Sequence, residues 1–504
     1  MTVDCVVTLD AGTGSGRCMA FDGRGRVLAT AQEPFSYRVF NDPVLPMVRG
    51  FDLDSDAFWA VLARCTRRAL SALPSDARVR AVIPTSQREA CVFLDDEANV
   101  LYAGPNLDAR AVAEGIELES ELGAERLHAI TGHAPPYVFA VARHRWFRKQ
   151  PDGQRLATIL MLNDWMGYRL SGAMVAEHSS ASESMLYDVR ARCWATEILE
   201  AVGIDPALLP PLANAGSPAG AVHERAAAET GLPVGTPVLV GGPDTEMALL
   251  GSGVYEVDDA GVVLGTTGPV QQVTETAVMD PNATLWTSAH VLPGRWVLES
   301  NAGDTGGAYR WLLELCFGAA DDAAHAAAEE AMATVSAAPQ SIVCHLGPLV
   351  FDLRKVNPFH PAAMLFRFPL LHLDRPGRGE VLRAFLDSVA YAVRGNVEQI
   401  HQVRGRAIGR LRLSGGMSRV APLPQLIATT LGRPVEVADV PESASLGCAV
   451  LGAVATGMHA TVADAVDVMT GHRRVEPDTA RIDAFTKQYA VWREKVAMLQ
   501  DTTL

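Results

Sequence analysis

Short apolar runs that end in clusters of glycine, threonine and serine recur along the chain. Near the amino terminus this pattern predicts strands over residues 5–10, 17–21 and 26–31, with GTGS after the first and the tight turn of DGRGR after the second. Apolar residues at three- and four-residue spacing predict a helix over 53–73, followed by a strand at 79–84 and a hairpin within 91–104. Such alternation is typical of an α/β protein.

Three further units of this kind lie downstream, in PVLVGGPD at 237–244, VVLGTTG at 262–268 and LRLSGGMSR at 411–419. A helix is predicted from near Pro424, and the alanine-rich segment 317–338 also reads as a helix with acidic residues at its start. One glycine cluster alone indicates only a turn. Several together offer backbone N–H groups and hydroxyls that can surround phosphate oxygens. None matches a P-loop or a Rossmann fingerprint, so neither site is predicted.

The chain length indicates how many lobes to expect, and the net charge indicates which partners are not expected. A chain of 504 residues exceeds what one hydrophobic core usually organises, so two lobes of roughly 200–250 residues are expected, with room for a cleft between them. The formal net charge is −15, from 43 Lys and Arg against 58 Asp and Glu. This charge repels polyphosphate backbones and anionic lipid surfaces, so nucleic acid and membrane are not expected partners.

Cysteine usage and the amino terminus indicate a cytoplasmic protein. The eight cysteines are scattered, mostly within apolar runs, and form no Cys-x-x-Cys pair, so we expect reduced core residues. The first residues, MTVDCVVTLD, lack a basic region, and no apolar run approaches the ~18 residues that a membrane span needs.

Nine motifs in order make the chain resemble the FGGY family of carbohydrate kinases. They are LDAGTGSGR near the start, SQREACV at 86–92, NLDAR at 106–110, NDW at 163–165, GGPDTEMALLGSG at 241–253, LGTTG at 264–268, TGGAYRWL at 305–312, LSGGMSR at 413–419 and ESASLGCA at 442–449. The resemblance implies an α/β, two-lobed, actin-like fold of the sugar-kinase (ribonuclease H-like) type with a central cleft. It implies an acceptor-binding lobe over 1–250 and a nucleotide-binding lobe over 251–504. Relatives form dimers or tetramers, so a homodimer is one assembly that it allows.

The family implies ATP and Mg²⁺ as cofactors, since phosphoryl transfer depends on positioning and charge neutralisation. Asp244 matches the catalytic base, although Gly-Pro-Asp by itself would indicate an ordinary turn. Asp10 would help to place the metal through water, and Arg17 would supply positive charge. Phosphate contacts are implied for Gly12, Thr13, Gly14, Ser15, Gly265, Thr266, Thr267 and Gly268, and a nucleotide pocket for Gly306, Gly415 and Gly416. Val420, Pro422 and Pro424 depart from the family pattern near the adenine.

Acceptor residues are implied by the first lobe. Gln87, Arg88 and Glu89 match a Q-R-E motif that binds acceptor hydroxyls, for which paired donors and acceptors are suited. Tyr137 matches an aromatic residue that lies against the acceptor, or else packs beside Pro135 and Pro136. In the W-x-D-x-R segment, Asp108 and Arg110 match, but Asn106 replaces tryptophan.

Asn106 is shared with the autoinducer-2 kinase branch, which the chain also resembles in NLDAR, TGGAYRWL and LGCA. The expected function is therefore ATP-dependent phosphorylation of a small sugar-like polyol or ketose, 4,5-dihydroxypentane-2,3-dione being one such acceptor. Two alternatives stay open at this point. One is a xylulose, ribulose or glycerol kinase, and the other is a non-catalytic, nucleotide-gated binding protein.

Overall fold

The computed structural model describes residues 2–41, 48–352, 354, 362–366, 375–440 and 442–500, which form two large mixed sheets with helices packed on them. The elements before residue 252 are β1 (Val3–Ala11), β2 (Ser15–Asp22), β3 (Val27–Pro34), β4 (Arg38–Asn41), β5 (Arg49–Asp52), α1 (Ser55–Ser71), β6 (Ala77–Ser86), β7 (Cys91–Leu94), β8 (Val100–Gly104), α2 (Val112–Leu122), α3 (Ala124–Thr131), α4 (Ala140–Arg148), β9 (Thr158–Met161), α5 (Leu162–Ser171), β10 (Ala176–Glu177), α6 (His178–Ser182), β11 (Tyr187–Asp188), β12 (Cys193–Trp194), α7 (Thr196–Val202), β13 (Leu212–Ala213), β14 (Pro218–Ala221), α8 (Glu224–Thr230), β15 (Pro237–Leu239), β16 (Gly242–Pro243) and α9 (Asp244–Gly251).

The elements after residue 252 are β17 (Ala260–Val263), β18 (Thr267–Thr274), β19 (Trp286–Ala289), β20 (Trp296–Asp304), α10 (Gly306–Phe317), α11 (Asp322–Ala333), β21 (Val343–His345), β22 (Ala363–Leu365), α12 (Arg378–Arg404), β23 (Leu411–Ser414), α13 (Leu423–Leu431), β24 (Val435–Ala438), α14 (Ser443–Ala455), α15 (Val462–Met469), β25 (His472–Val475) and α16 (Ile482–Gln500).

The two sheets share one topology. In the first, the order is β14-β15-β6-β1-β2-β3, with β16 also paired to β6; β1 is antiparallel to β2 and parallel to β6. In the second, the order is β19-β20-β18-β17-β23-β24-β25, and β17 is antiparallel to β18 and parallel to β23. Each sheet thus contains a central hairpin beside a parallel strand. The turns of these hairpins are the glycine clusters that end the apolar runs of the sequence.

The central strand β1 is covered on both faces, which agrees with its nearly continuous apolar sequence. Helix α1 packs on one side of the sheet, and α14, from the far end of the chain, packs against β1 on the other. Helices α14 and α9 also pack on each other. A Cβ at Gly251 would lie 1.9 Å from the carbonyl oxygen of Ser443, and one at Gly447 would lie 2.0 Å from that of Met247. These two glycines let the helices cross in backbone contact.

The division at residue 250 stays a prediction. The first seven-stranded sheet takes all its strands from residues before 250 and the second takes all of its strands from residues after 250, yet α14 shares its core with the first. No helix within the described parts of the chain is long and apolar enough to span a membrane.

Two sequence predictions need correction. The helix expected over 317–338 is shorter: Phe317 is the last residue of α10, which Gly318 (φ +80°) ends, and α11, capped at its amino terminus by Asp321, covers only Asp322–Ala333. Not every cysteine is a core residue: Cys193 is exposed and Cys316 is half-buried, while the other six are buried and all eight are free.

Candidate active site

A cleft of about 510 Å³ lies where the β1–β2 and β17–β18 hairpins face each other. The sequence-predicted residues that line it are Asp10, Gly12, Thr13, Ser15, Arg17, Arg88, Glu89, Asn106, Asp244, Gly265, Thr266, Thr267 and Gly415. Side chains and backbone that the sequence did not single out complete the lining: Leu107, Val138, Thr245, Ala248, Val263, Pro269, Trp286, Asn301, Glu442, Ser443 and Ala444. Residues from both halves of the chain therefore meet in one cavity.

The β1–β2 turn is held by its own backbone and by a neighbouring tyrosine. The N–H of Gly12 donates to the carbonyl of Ser15 (3.2 Å), and the hydroxyl of Tyr37 donates to the carbonyl of Thr13 (2.5 Å). Arg17 projects from β2 and is loosely paired, 3.7 Å from Asp10 and 3.8 Å from Glu442. Its charge is therefore available to an anion in the cleft.

Asp10 is the next-to-last residue of β1, close to this turn. Burial raises the pKa of its carboxyl, as does Glu442, while Arg17 opposes the shift. A cation beside Asp10 would offset the negative charge that disfavours its ionisation. No group of three or more metal-ligating side chains is found among the described residues. A single carboxylate in a cleft can serve Mg²⁺, which is commonly held by one or two carboxylates together with water and substrate phosphates.

Asp244 is the first residue of α9, directly after β16. Its carboxyl lines the cleft and accepts a hydrogen bond from the hydroxyl of Thr245 (3.2 Å). Burial first, and then the nearby Asp10, raise the pKa of Asp244 to about 7, against the opposing effect of Arg88. A carboxyl with this pKa can take up a proton near neutral pH, as a general base requires.

Arg88 also lines the cleft and is paired with a residue of the second lobe. Its two terminal nitrogens, Nη1 and Nη2, donate to the two oxygens of Glu299 on β20, at 2.6 and 2.9 Å. The amide of Gln271 on β18 donates to the same carboxylate (2.8 Å). Burial would lower the pKa of Arg88, but Glu299 and neighbouring acids raise it well above its usual value. Arg88 is thus a fixed, charged group.

Glu89 follows Arg88 and is also buried in the cleft wall. Its φ of +55° lies in the left-handed region, where a residue with a side chain is strained and is often found at a functional site. Burial raises the pKa of its carboxyl to about 7, with Arg88 acting in the opposite direction. Glu89 and Asp244 therefore both titrate close to neutral pH.

Five of the sequence-predicted residues line neither this cleft nor the smaller cavity next to it: Gly14, Gln87, Asp108, Tyr137 and Gly268. Gln87 holds two neighbours of the cleft in place. Its side-chain N–H donates to the hydroxyl of Tyr37 (3.0 Å), and its side-chain carbonyl oxygen accepts from the backbone N–H of Asn106 (3.1 Å). Asp108 is fully buried and accepts from Tyr102 and Arg110.

The hydroxyl of Tyr137 points to a different partner, donating to Glu119 (2.8 Å). Val138, the next residue, lines the cleft instead. Gly268 lies within β18, where a Cβ would approach Ala302 and Thr305 at 3.1 Å. The structure therefore brings neither residue to the cavity.

A second cavity of about 380 Å³ adjoins the cleft and shares Gly265 and Thr266 with it. It is lined by the predicted Gly306 and Gly416, and further by Leu264, Tyr309, Arg310, His325, Glu329, Met417, Arg419 and Val420. Close backbone packing forms its floor: a Cβ at Gly306 would lie 2.3 Å from the carbonyl oxygen of Gly265, and one at Gly415 would lie 2.5 Å from that of Leu264. An extended ligand can run from this cavity into the cleft.

Comparison with known proteins identifies the chain. The model of the amino-terminal domain of the FGGY family of carbohydrate kinases matches residues 5–251, and that of its carboxyl-terminal domain matches residues 260–456. The chain belongs to the FGGY family of carbohydrate kinases. A curated relative of this FGGY kinase, the autoinducer-2 kinase of Klebsiella pneumoniae, is 30% identical over 509 residues, which cover 97% of this chain and 93% of the relative.

Solved structures of sugar kinases share the fold of this FGGY kinase. Xylulose kinase from Rhodospirillum rubrum is 27% identical with a TM-score of 0.84, covering 98% of this chain and 99% of that one. Two more distant structures also have TM-scores of 0.84: gluconate kinase from Lactobacillus acidophilus (14% identity, 99% of each chain) and glycerol kinase from Plasmodium falciparum with ADP (17% identity, 100% of this chain and 99% of that one). The predicted two-lobed α/β sugar-kinase fold is confirmed.

Family membership also confirms the predicted enzyme class. The chain is an ATP-dependent carbohydrate kinase that transfers a phosphoryl group to an alcohol group. This outcome sets aside the alternative of a non-catalytic, nucleotide-gated binding protein. The homodimer and the cytoplasmic location stay predictions.

Several residues of this kinase's cleft escaped the sequence analysis. Glu442 and Ser443 belong to a motif, ESASLGCA, that was recognised as a whole without a role for its parts. Trp286 carried no local signal. Glu299, which pairs with the cleft residue Arg88, did carry one, because it is a charged residue directly after the apolar residues WVL of β20, and a buried charge needs a partner.

Proposed function

We propose that this kinase transfers the γ-phosphate of ATP to a hydroxyl of a short, acyclic polyol or hydroxy ketone, such as 4,5-dihydroxypentane-2,3-dione. The observation that carries the proposal is the position of Asp244 in a cleft that is lined by both glycine hairpins and by Arg88 and Glu89 of the Q-R-E segment. A carboxyl with a pKa of about 7 lies there between groups suited to phosphate and groups suited to hydroxyls.

In this proposal the acceptor hydroxyl lies against Asp244, whose carboxylate accepts the hydroxyl proton as the oxygen attacks the γ-phosphorus. Backbone N–H groups and hydroxyls of the two hairpins, with Arg17, hold the phosphate oxygens. The adjoining cavity at Gly306 and Gly416 takes the nucleoside. Asp10 would hold Mg²⁺, which neutralises charge on the phosphates when it is bound.

The acceptor class is proposed from the lining and from the curated relative. Asn106 offers a polar side chain with both donor and acceptor, and its Oδ1 is buried without a partner in the protein, which suits a hydroxyl group of the acceptor. Leu107, Val138 and Trp286 supply an apolar surface for a short carbon chain. The relative with 30% identity over most of its length is named an autoinducer-2 kinase, which favours the dihydroxy-dione over xylulose, ribulose and glycerol.

The experiment is a measurement of ADP release with ATP, Mg²⁺ and a panel of acceptors: the dione, glycerol, xylulose, ribulose and a hexose. We expect the highest kcat/KM for the dione or another short acyclic acceptor. Equal efficiency on xylulose and the dione would contradict the acceptor assignment and leave the kinase class intact.

Asp244→Asn is the matched control for that assay, since it removes the carboxylate and keeps the size of the side chain. Turnover should fall by about 10²–10⁴-fold, as is typical of the loss of a general base, with little change in nucleotide affinity. Near-normal turnover in this variant would show that Asp244 is not the base.

A further inference from the structure

Glu299 is a second-lobe residue that reaches the acceptor side of the cleft. Both of its oxygens accept from Arg88, in the bidentate arrangement that is the strongest pairing of these two groups. Gln271 donates to the same carboxylate, and neither Glu299 nor Gln271 has exposed surface. The terminal edge of the Arg88 guanidinium is therefore occupied before any acceptor binds.

Three further acids surround the same guanidinium. They are Glu89 at 3.7 Å from Nε, Glu246 at 3.7 Å from Nη1 and Glu183 at 3.9 Å from Nη1. Glu183 also accepts from Ser288 (3.0 Å) and lies 3.6 Å from His133. The positive charge of Arg88 is thus compensated from more than one direction, chiefly by Glu299.

The charged residues that line the cleft determine whether an acceptor that carries a charge can bind there. Among the described residues that line the cleft, Arg17 and Arg88 are the only cationic ones. Arg17 belongs to the phosphate hairpin, and Arg88 is compensated. A carboxylate on the acceptor would be desolvated beside Glu89 and Asp244 without a free cation to pair with, which costs far more than burial of a hydroxyl. Discrimination by such a repulsive element is a common route to specificity.

We propose that Glu299 is a positioning residue that sets acceptor specificity: by holding and neutralising Arg88, it restricts the site to uncharged polyols and hydroxy ketones and excludes sugar acids. The inference rests on the proposed function, because it concerns the same acceptor site. In this proposal, acceptor selection depends on a residue of the second lobe as well as on the Q-R-E motif of the first lobe.

The test compares two acceptors of equal length, erythritol and erythronate, on the full-length protein with ATP and Mg²⁺. For the wild type we expect kcat/KM to be at least about a hundredfold lower for the acid. In Glu299→Gln the side chain keeps its size and one acceptor for Arg88, but the guanidinium loses its nearest counter-charge. The ratio of kcat/KM for erythronate to that for erythritol should rise about tenfold or more.

Glu275→Gln is the matched control, since it removes one negative charge from an exposed residue that pairs with Arg404 and Arg406 outside the cleft lining. It should leave the acceptor ratio unchanged. A folded Glu299→Gln protein, checked by thermal unfolding, with the wild-type ratio would overturn the proposal, because a merely structural residue changes activity without changing preference.

The wild-type measurement decides even if Glu299→Gln does not fold. Comparable kcat/KM for erythritol and erythronate in the wild type would overturn the role of Glu299 and leave the proposed kinase function standing. Absence of turnover with the dione and with every uncharged acceptor would overturn both.

Discussion

Two arginines line the cleft, and they differ in how their charges are compensated. The Arg17 side chain is 22% exposed and lies 3.7–3.8 Å from its acidic neighbours, whereas the Arg88 side chain is 9% exposed and donates at 2.6 and 2.9 Å to a single buried carboxylate. A loosely paired, partly hydrated arginine can exchange its neighbours for an anionic ligand at little cost. A buried bidentate pair cannot.

The comparison shows why one cleft can serve two ligands of different charge. Free positive charge at Arg17 suits the phosphates of ATP, and compensated charge at Arg88 suits an uncharged acceptor. Asp244 lines the same cleft as both arginines. Both arginines belong to recognisable motifs, but only their contacts in the structure show that one charge is loosely paired and the other tightly paired.

The largest effect is expected from Arg88→Gln. This change leaves Glu299 and its neighbouring acids buried without their counter-charge, so the free energy of unfolding should fall by about 3–5 kcal/mol. Urea denaturation measures it directly. Because replacing both partners of a buried pair is far milder than removing one, Arg88→Met combined with Glu299→Met should recover most of the stability. If Arg88→Gln were as stable as the wild type, that result would show that Arg88 and Glu299 do not form this ion pair in solution.

Arg17→Gln should do the reverse, with little effect on stability and a clear effect on catalysis. Its ion pairs are long and partly exposed, and its hydrogen bond to Gln32 (3.2 Å) is exposed, so the free energy of unfolding should change by less than about 1 kcal/mol. Loss of a charged donor to the phosphates should lower kcat/KM for ATP by roughly 10²-fold. Steady-state kinetics with varied ATP checks this, and unaltered kinetics would remove Arg17 from the phosphate site.

A smaller effect comes from pH. A base must be ionised to act, and burial raises the pKa of Asp244 from 3.8 to about 7, so kcat/KM should fall as the pH drops through 7 and level off above it. Glu89 has a pKa of about 7 as well, and the two groups titrate in the same range. In Asp244→Asn, the fall in kcat/KM that comes from protonation of the base should disappear from the pH profile. A wild-type profile that is flat from pH 5 to 8 would contradict a base with a raised pKa.

The smallest effect is expected from Tyr137→Phe. The hydroxyl of Tyr137 donates to Glu119 and lies outside the cleft lining, so KM for the acceptor should stay within about twofold of the wild-type value. The same kinetic assay measures it, with Asn106→Ala as a cleft-lining counterpart that should raise KM. A large rise in KM for Tyr137→Phe would restore the sequence-based expectation that this residue touches the acceptor.

Local features of the fold were predictable from the sequence. The hairpin of β1 and β2, helix α1 and the strand β6 follow from apolar periodicity and turn residues within a few positions of each other. The gap between α10 and α11 was missed, because the alanine-rich composition of 317–338 favours helix throughout, and the expected helix therefore began before α11 does. Only the left-handed conformation of Gly318 shows where the first helix ends.

The site was predictable where its residues follow strand ends and unpredictable where they depend on the packing of the lobes. Asp10, Asp244 and Gly265 could be read from the motifs that contain them. The pairing of Arg88 with Glu299 joins positions 211 residues apart, and no local pattern specifies it. Whether Arg88 carries free charge therefore became visible only in three dimensions.

The most direct test of the central claim is a phosphorus NMR spectrum of the wild-type enzyme with ATP, Mg²⁺ and 4,5-dihydroxypentane-2,3-dione. The account predicts a new phosphate monoester signal, coupled to protons of the acceptor, that grows in step with ADP and fails to grow with Asp244→Asn. Formation of inorganic phosphate alone, or of a monoester at the wild-type rate with Asp244→Asn, would contradict it.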